Sequence, residues 1–525
     1  MNLAELLSAQ ATAHPNTPAI LDFPRGQRRC LTFAELELAS ARVATLLLQV
    51  NLRPGETVLV LQSMSAELYI ALAAIFRLGL VAMFLDPGQG MKHIEQCCAL
   101  QRPQALIASD KAQLLRLLSP VLRQIQHKFV IGLPVPGAIP WRLADKLIPT
   151  LEIYTCSPET PALLTFTSGS TGQPKAALRS HHFLLSQHHA LAESLSLTAG
   201  QVDLATMPIV LLTNLASGVT SLIPPVNLRQ PGRIDPAPVV TQIQTEQVAS
   251  TVASPALLEK LVAYCLLNQI VLLTLRRVFS GGAPVFPNLL EQLQQVAPQA
   301  EIFAVYGSTE AEPMAKVAYH TIGAGDVESM RNGRGLLVGS SVDTLQLRII
   351  PDQWGTALGP YQPTEFEAMC CQTGTVGEIV VSGEHVLSGY LYGIGNQETK
   401  FSVDGVIWHR TGDAGYRDAQ GRLWLLGRCA ARIKDRRGVL YPFAVECAVS
   451  FQPGVRRSAV IEHAGQRLLI IETSNKNLSL TQIQKALVWA HLDAIRIVPH
   501  LPVDKRHNAK IDYPALLKLV ARDKR

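Results

Sequence analysis

The sequence predicts an α/β protein with a large multi-layered N-terminal domain and a small mobile α+β domain after it. Three observations lead there. Strand-like apolar runs alternate with helix-length segments along most of the chain, the pattern of sheets covered by helices. At 525 residues the chain exceeds what one hydrophobic core supports, so more than one domain is expected. Its final stretch, after Arg428 to Arg432, alternates short strands with amphipathic helices over enough residues for one small domain.

Taken in order, apolar spacings of three and four make Phe33 to Leu48 a helix. Pro54-Gly55 is a turn, and Thr57-Val58-Leu59-Val60-Leu61 a buried strand. The longest apolar stretch, Leu68 to Leu85, is broken by Arg77 and Gly79, so it reads as helix, turn and strand and falls short of a membrane span. Strand-like runs recur at Ala105 to Ala108, Phe129 to Gly132, Leu163 to Thr167, Val248 to Ala253 and Ile302 to Val305. From Ile349 to Thr375, Pro351, Gly355, Gly359, Pro360, Pro363 and Gly374 break all periodicity, which predicts a loop-rich insertion ahead of the strand Ile379-Val380-Val381. The boundary near Arg428 gives domains of 1–428 and 429–525. In the second, Ser458 to Ile461 and Leu468 to Glu472 read as strands, Thr481 to His491 and Pro514 to Arg522 as helices. There is no internal repeat or low-complexity segment.

Composition excludes several classes of function. A net charge of +6 is small for this length, and Lys and Arg are scattered apart from short runs such as Arg432 to Arg437, so nucleic-acid binding is not expected. The nine cysteines include the adjacent pairs Cys97-Cys98 and Cys370-Cys371 but no C-x-x-C, which suits neither a disulfide framework nor a zinc site. A reducing cytoplasm is the expected location. Met1-Asn2-Leu3-Ala4-Glu5 places an acid where a secretory signal carries basic residues, so no export is expected.

The stretch that carries chemistry is Phe166-Thr167-Ser168-Gly169-Ser170-Thr171-Gly172-Gln173-Pro174-Lys175. Glycines let backbone N–H groups approach phosphate oxygens, while hydroxyls and one lysine add side-chain donors. It reads as a triphosphate cradle, with a polar surface loop as the bland alternative. A Walker A loop is excluded, because that motif needs a Gly-Lys pair and here Pro174 precedes Lys175. The chain has no G-x-S-x-G nucleophile elbow.

Further motifs follow this loop: Gly281-Gly282-Ala283-Pro284, Tyr306-Gly307-Ser308-Thr309-Glu310, Gly377-Glu378-Ile379, Ser388-Gly389-Tyr390, His409-Arg410-Thr411-Gly412-Asp413, Gly427-Arg428, Ile433-Lys434, and Lys510. In this order they resemble the AMP-forming, adenylate-forming superfamily of acyl-CoA synthetases, luciferases and peptide-synthetase adenylation domains, over essentially the whole chain. The resemblance implies ATP and Mg²⁺ as partners of a carboxylic acid substrate, whose carboxylate attacks the α-phosphorus as pyrophosphate leaves. It implies that Thr167, Ser168, Gly169, Ser170, Thr171, Gly172 and Lys175 hold the β- and γ-phosphates. Thr309 would hydrogen-bond the α-phosphate and Glu310 would hold Mg²⁺, a hard cation suited to a carboxylate plus substrate phosphates. Gly282, Ala283 and Pro284 with Tyr306, Gly307 and Ser308 would form the adenine slot. Asp413, helped by Arg428, would accept the ribose hydroxyls. Lys510 would swing in with the small domain, which in relatives rotates on a hinge after the Gly-Arg motif. Taken singly, Tyr306 could be core packing, Asp413 an ordinary Thr-Gly-Asp loop, and Lys505 a rival to Lys510. His181, His182, His188 and His189 have no accompanying carboxylate or Cys, so they read as helix decoration and not as a metal cluster.

The chain departs from that pattern in places. Ala176 stands where relatives carry Gly, and Ala430 at the hinge position. Met207-Pro208-Ile209-Val210-Leu211-Leu212 is aliphatic where many CoA ligases place an aromatic and a His. With Leu215, Val219 and Leu222 it suggests an apolar acyl site, suited to a fatty or other greasy acid. Trp408 to Asp413, Arg422-Leu423-Trp424, Pro502-Val503-Asp504 and Arg506 to Ile511 resemble the olefin-pathway β-lactone synthetases of the same superfamily. The expected activity is therefore acyl-adenylate formation followed by transfer to CoA or another thiol, such as that of a carrier protein. The alternative is closure of a β-hydroxy acid to a β-lactone with no external acceptor, and a third is a non-catalytic binding subunit. Pathway enzymes are further expected partners.

Overall fold

The computed structural model describes residues 1–168, 174–473, 475, 478–503 and 511–522. It divides into two compact units: Met1–Leu228 with Thr241–Val252 and Glu384–Asn396, and Arg229–Val240 with Ala253–Gly383 and Gln397–Arg525.

In the first unit the helix Phe33–Leu48 begins on a capping box: Thr32 Oγ1 accepts from the Glu35 N–H at 3.2 Å, and the Glu35 carboxylate accepts from the Thr32 N–H at 2.8 Å. The strand Thr57–Leu61 is buried at every residue, as the interior of a parallel sheet requires. Around it runs a seven-stranded sheet in the order Ile139–Pro140, His127–Ile131, Ala105–Ser109, Thr57–Leu61, Val81–Phe84, Pro161–Ser168, Pro174–Ser180. All neighbours are parallel except the last pair, an antiparallel hairpin. The apolar stretch from Leu68 to Leu85 is the helix Ala66–Arg77 followed by the strand Val81–Phe84. No helix among the described residues is long and apolar enough to cross a membrane. A second group pairs Ser250–Ala253, Val202–Ala205, Thr220–Leu222 and Pro18–Asp22 in parallel, with Arg29–Thr32 antiparallel at the end.

The second unit is mainly antiparallel. Its strands run Arg277–Ser280, Glu301–Ser308, Ala311–Ala318, Leu336–Ser341, Leu423–Arg428, Val406–Arg417, Gly377–Ser382, Gln346–Ile350. Toward the C-terminal end come a hairpin, Ile433–Asp435 with Gly438–Leu440, the helix Pro442–Ser450, and a three-stranded sheet of Arg457–His463, Gln466–Glu472 and Ala494–Val498. The helix expected over Thr481 to His491 ends at Ala486. A short 3₁₀ turn, Val488–Ala490, then carries Trp489 onto Gly333, where any Cβ would overlap the indole ring.

The insertion is more ordered than its prolines and glycines suggest. Pro363–Met369 is a helix whose Phe366, 1% exposed, packs on Phe401 and Trp408 at ring separations of 5.6 and 4.8 Å. Pro363 sits at the helix start, where its missing N–H costs nothing.

Candidate active site

The Gly- and hydroxyl-rich motif is flanked by the two strands of an edge hairpin. Strands Pro161–Ser168 and Pro174–Ser180 pair with Thr167 opposite Lys175 and Ser168 opposite Pro174, so the residues between them, Gly169, Ser170, Thr171, Gly172 and Gln173, form the connection. Those five lie outside the described residues. Lys175 is buried, its Nζ 5.7 Å from the centre of the Tyr390 ring, within cation–π range. Gly395, at φ +94°, leaves the space the lysine occupies, since a Cβ there would stand 2.6 Å from Lys175 Cε. The Ser388-Gly389-Tyr390 motif thus supplies the groove for the lysine of the loop motif. Ala176 is fully buried beside Leu164 and Phe166, so the extra methyl is core packing.

The second unit holds the remaining motifs. Strand Glu301–Ser308 carries Tyr306, Gly307 and Ser308 into a two-residue turn made by Thr309 and Glu310, closed by the pair Ser308 and Ala311. The Glu310 N–H donates to Ser308 Oγ at 3.3 Å. Gly281, just after strand Arg277–Ser280, passes so close to that neighbour that a Cβ would lie 3.1 Å from the Val305 carbonyl oxygen, and Gly282 follows in the left-handed region at φ +79°. Glycines there let the turn leading to Ala283 and Pro284 run against the strand that bears Tyr306.

Asp413 and Arg428 face each other across an antiparallel pair. Asp413 Oδ1 lies 3.2 Å from Arg428 Nη1, and Oδ2 accepts from the Tyr306 hydroxyl at 2.7 Å. The Thr411 hydroxyl accepts from the Asp413 N–H at 3.0 Å, and the Thr411 carbonyl accepts from Arg428 at 2.8 Å. Burial first, and then the Asp413 charge, hold the Tyr306 hydroxyl well above its ordinary range, so it remains a donor. The Asp413 charge likewise raises the Arg428 guanidinium. Both carboxylate oxygens are therefore aimed and held. Tyr306 is more than a flat face, because its hydroxyl fixes the acid.

Beneath this carboxylate, Glu378 and Arg410 form a fully buried ion pair. Arg410 Nη2 donates to Glu378 Oε2 at 2.6 Å, and Nε donates to Oε1 at 3.1 Å. Burial raises the Glu378 carboxyl and the arginine opposes that shift. The pair ties strand Gly377–Ser382 to the segment ending in Thr411, Gly412 and Asp413, which explains why both motifs occur together.

Sequence reasoning missed Lys400. It lies opposite His409 in the register of strands Lys400–Val403 and Val406–Arg417 and is 8% exposed. Burial lowers its pKa to about 7, against the pull of the Glu310 charge. Burial and then Lys400 push His409 down to about 3, so its neutral ring donates Nδ1–H to the Thr399 carbonyl at 3.2 Å. No local spacing marks it, because its place follows from that cross-strand register.

Other expectations are corrected. Leu211, Leu215, Val219 and Leu222 are at most 1% exposed, and Leu211 and Leu215 belong to the main core cluster. Spaced four apart on the helix Pro208–Ala216, they turn inward, so these four are core and not a site lining. Met207 and Ile209 remain partly exposed. Two of the four histidines are buried: His181 accepts from the Leu3 N–H at 3.1 Å, and burial lowers His188 to about 4. No cluster of three or more His, Cys, Asp or Glu that could hold a metal exists among the described residues. Lys510 and Lys505 lie outside the described residues, though Val503 and Ile511 pair as an antiparallel bridge at the ends of that segment.

Residues 7–391 match the family described as AMP-binding enzyme. The chain belongs to that family and is an AMP-forming, ligase-type enzyme that activates a carboxylic acid as its adenylate. It is 31% identical over 511 residues to an olefin beta-lactone synthetase of Stenotrophomonas maltophilia (strain K279a), covering 92% of this chain and 89% of the relative. A second olefin beta-lactone synthetase, of Xanthomonas campestris pv. campestris, is 30% identical over 513 residues, with the same coverages of 92% and 89%. Among solved structures, the anthranilate CoA ligase AuaEII in complex with anthranoyl-AMP superposes with a TM-score of 0.80 at 20% identity, covering 99% of this chain and 98% of that one. That likeness establishes the fold.

Proposed function

We propose that this enzyme activates a fatty or otherwise apolar β-hydroxy acid as its adenylate and then closes it to a β-lactone with release of AMP. The observation that carries the reading is the nearly full-length similarity to two olefin β-lactone synthetases. The absence of an aromatic and a His between Met207 and Leu212 agrees with it. In the first step a carboxylate oxygen attacks the α-phosphorus and pyrophosphate leaves. In the second, the substrate's own hydroxyl attacks the acyl carbon, AMP leaves, and the hydroxyl proton passes to solvent.

The same reading assigns the residues. Thr167 to Thr171, Gly172 and Lys175 wrap the β- and γ-phosphates, Thr309 meets the α-phosphate, and Asp413 with Arg428 takes the ribose hydroxyls. Gly282, Ala283, Pro284, Tyr306, Gly307 and Ser308 enclose the adenine. Lys510 arrives on a mobile domain, 429–525, and meets charge developing between carboxylate and phosphate. Glu310 suits Mg²⁺: a carboxylate at a hairpin turn fits a hard cation that draws its other ligands from substrate phosphates and water. Bound there, the metal would supply charge neutralisation on the triphosphate. All nine cysteines are free, in keeping with a reducing cytoplasm.

Mass spectrometry of products from ATP, Mg²⁺ and a panel of fatty and β-hydroxy acids, with and without CoA, tests this. The expected result is lactone and AMP from a β-hydroxy acid, with CoA stimulating turnover weakly or not at all. A CoA thioester formed far faster than any lactone would instead make a thiol the acceptor.

A further inference from the structure

Within the insertion, one short turn touches two places of functional weight. Asp352 is 8% exposed and accepts twice from residues beyond the Gly427-Arg428 motif: Oδ1 from Arg432 Nη1 at 2.7 Å and Oδ2 from the Tyr441 hydroxyl at 2.8 Å. The Trp354 N–H donates to the same Oδ1 at 3.2 Å, so the backbone at Trp354 orients the carboxylate. On the other side, the Trp354 ring packs on Gly412, the residue before Asp413. Gly412 sits at φ +68°, and a Cβ there would lie 2.9 Å from the indole Cη2. Arg410 stands over that ring at 5.2 Å from its centre and donates to the Thr356 carbonyl.

We propose that the turn Asp352–Thr356 couples the nucleotide site to the segment that follows Arg428. A ligand on Asp413 fixes the backbone from Thr411 to Asp413. That sets the plane of Trp354, and through the Trp354 N–H it sets the carboxylate that tethers Arg432 and Tyr441. Asp352 and Trp354 are positioning residues in this scheme, since neither touches substrate. The scheme rests on Asp413 being the ribose acceptor. Coupling of this kind is reciprocal, so loosening the tether must weaken the ligand's effect on the segment as well.

Hydrogen–deuterium exchange on the full-length protein, with and without saturating AMP, reads the coupling, and calorimetry with AMP reads the nucleotide site separately. In the wild type, AMP is expected to slow exchange across Ile433 to Tyr441 at least tenfold. Asp352→Asn should still bind AMP yet show less than a twofold effect of AMP on that segment, and Trp354→Leu should do the same. Tyr441→Phe removes one of the two tethering donors with almost no change of shape, and should cut the AMP effect at least threefold even if the Asp352 variant fails to fold. If wild-type protein binds AMP and exchange over Ile433 to Tyr441 does not change, the coupling is wrong. Full protection retained in Asp352→Asn or in Tyr441→Phe would equally overturn it. A wild-type protein that binds no AMP overturns the site assignment beneath it.

Discussion

Asp413 is held by three groups that differ in kind: a cross-strand arginine, the hydroxyl of a half-buried tyrosine and the Thr411 side chain on its own N–H. Together they aim both carboxylate oxygens, while the backbone from Thr411 to Asp413 is left to be fixed by a ligand. In the proposed reaction Lys510 plays the opposite part, a cation brought in only for the chemistry. Losing one donor to developing charge in a closed site typically costs about 10² to 10³ in rate. Lys510→Ala is therefore expected to cripple acid-dependent pyrophosphate exchange by that factor while leaving ATP binding near wild type, and Lys505→Ala to stay within about three-fold. Exchange assays and titration calorimetry on both variants check this, and wild-type exchange by Lys510→Ala would assign the role to another residue. Asp413, Tyr306 and Arg428 could be picked out as candidates because each sits in a short contiguous motif, and the structure brings the three together. Lys400, Asp352 and Trp354 were not, because their meaning comes from register and from contacts across strands that no local spacing encodes.

At the scale of elements, the two motif strands Gly377–Ser382 and Val406–Arg417 are joined by the buried Glu378–Arg410 pair. Removing one partner of such a pair leaves an uncompensated buried charge and costs about 3–5 kcal/mol. Glu378→Ala should thus lower the melting temperature markedly and loosen nucleotide binding at Asp413, both measurable by calorimetry; an unchanged melting temperature would contradict the burial argument. Farther along, Glu446 Oε1 accepts from the Val460 N–H at 3.1 Å and from the Tyr513 hydroxyl at 2.9 Å, tying the helices Pro442–Ser450 and Tyr513–Arg522 together. Burial raises this carboxyl from 4.5 to about 7. The folded chain then keeps a proton that the unfolded chain has already released, so this contribution is full below 4.5 and is lost as the pH rises through about 7. Glu446→Gln should flatten the fall in melting temperature across that window, and an identical pH profile in the variant would contradict the assignment. The parallel strands of the first unit were readable in sequence because full burial writes a continuous apolar run. The strand Ala494–Val498 was not, since only Val498 of its five residues is buried.

For the whole molecule, the proposed reaction gives a carboxylate oxygen to phosphorus and then loses it with AMP. An acid labelled with ¹⁸O in both carboxylate oxygens follows that oxygen directly. With ATP, Mg²⁺ and a labelled β-hydroxy fatty acid, AMP should gain one ¹⁸O and the lactone should keep one, in its carbonyl, while its ring oxygen comes unlabelled from the hydroxyl. Unlabelled AMP with both heavy oxygens retained in the lactone, or ADP and phosphate in place of AMP and pyrophosphate, would contradict the account.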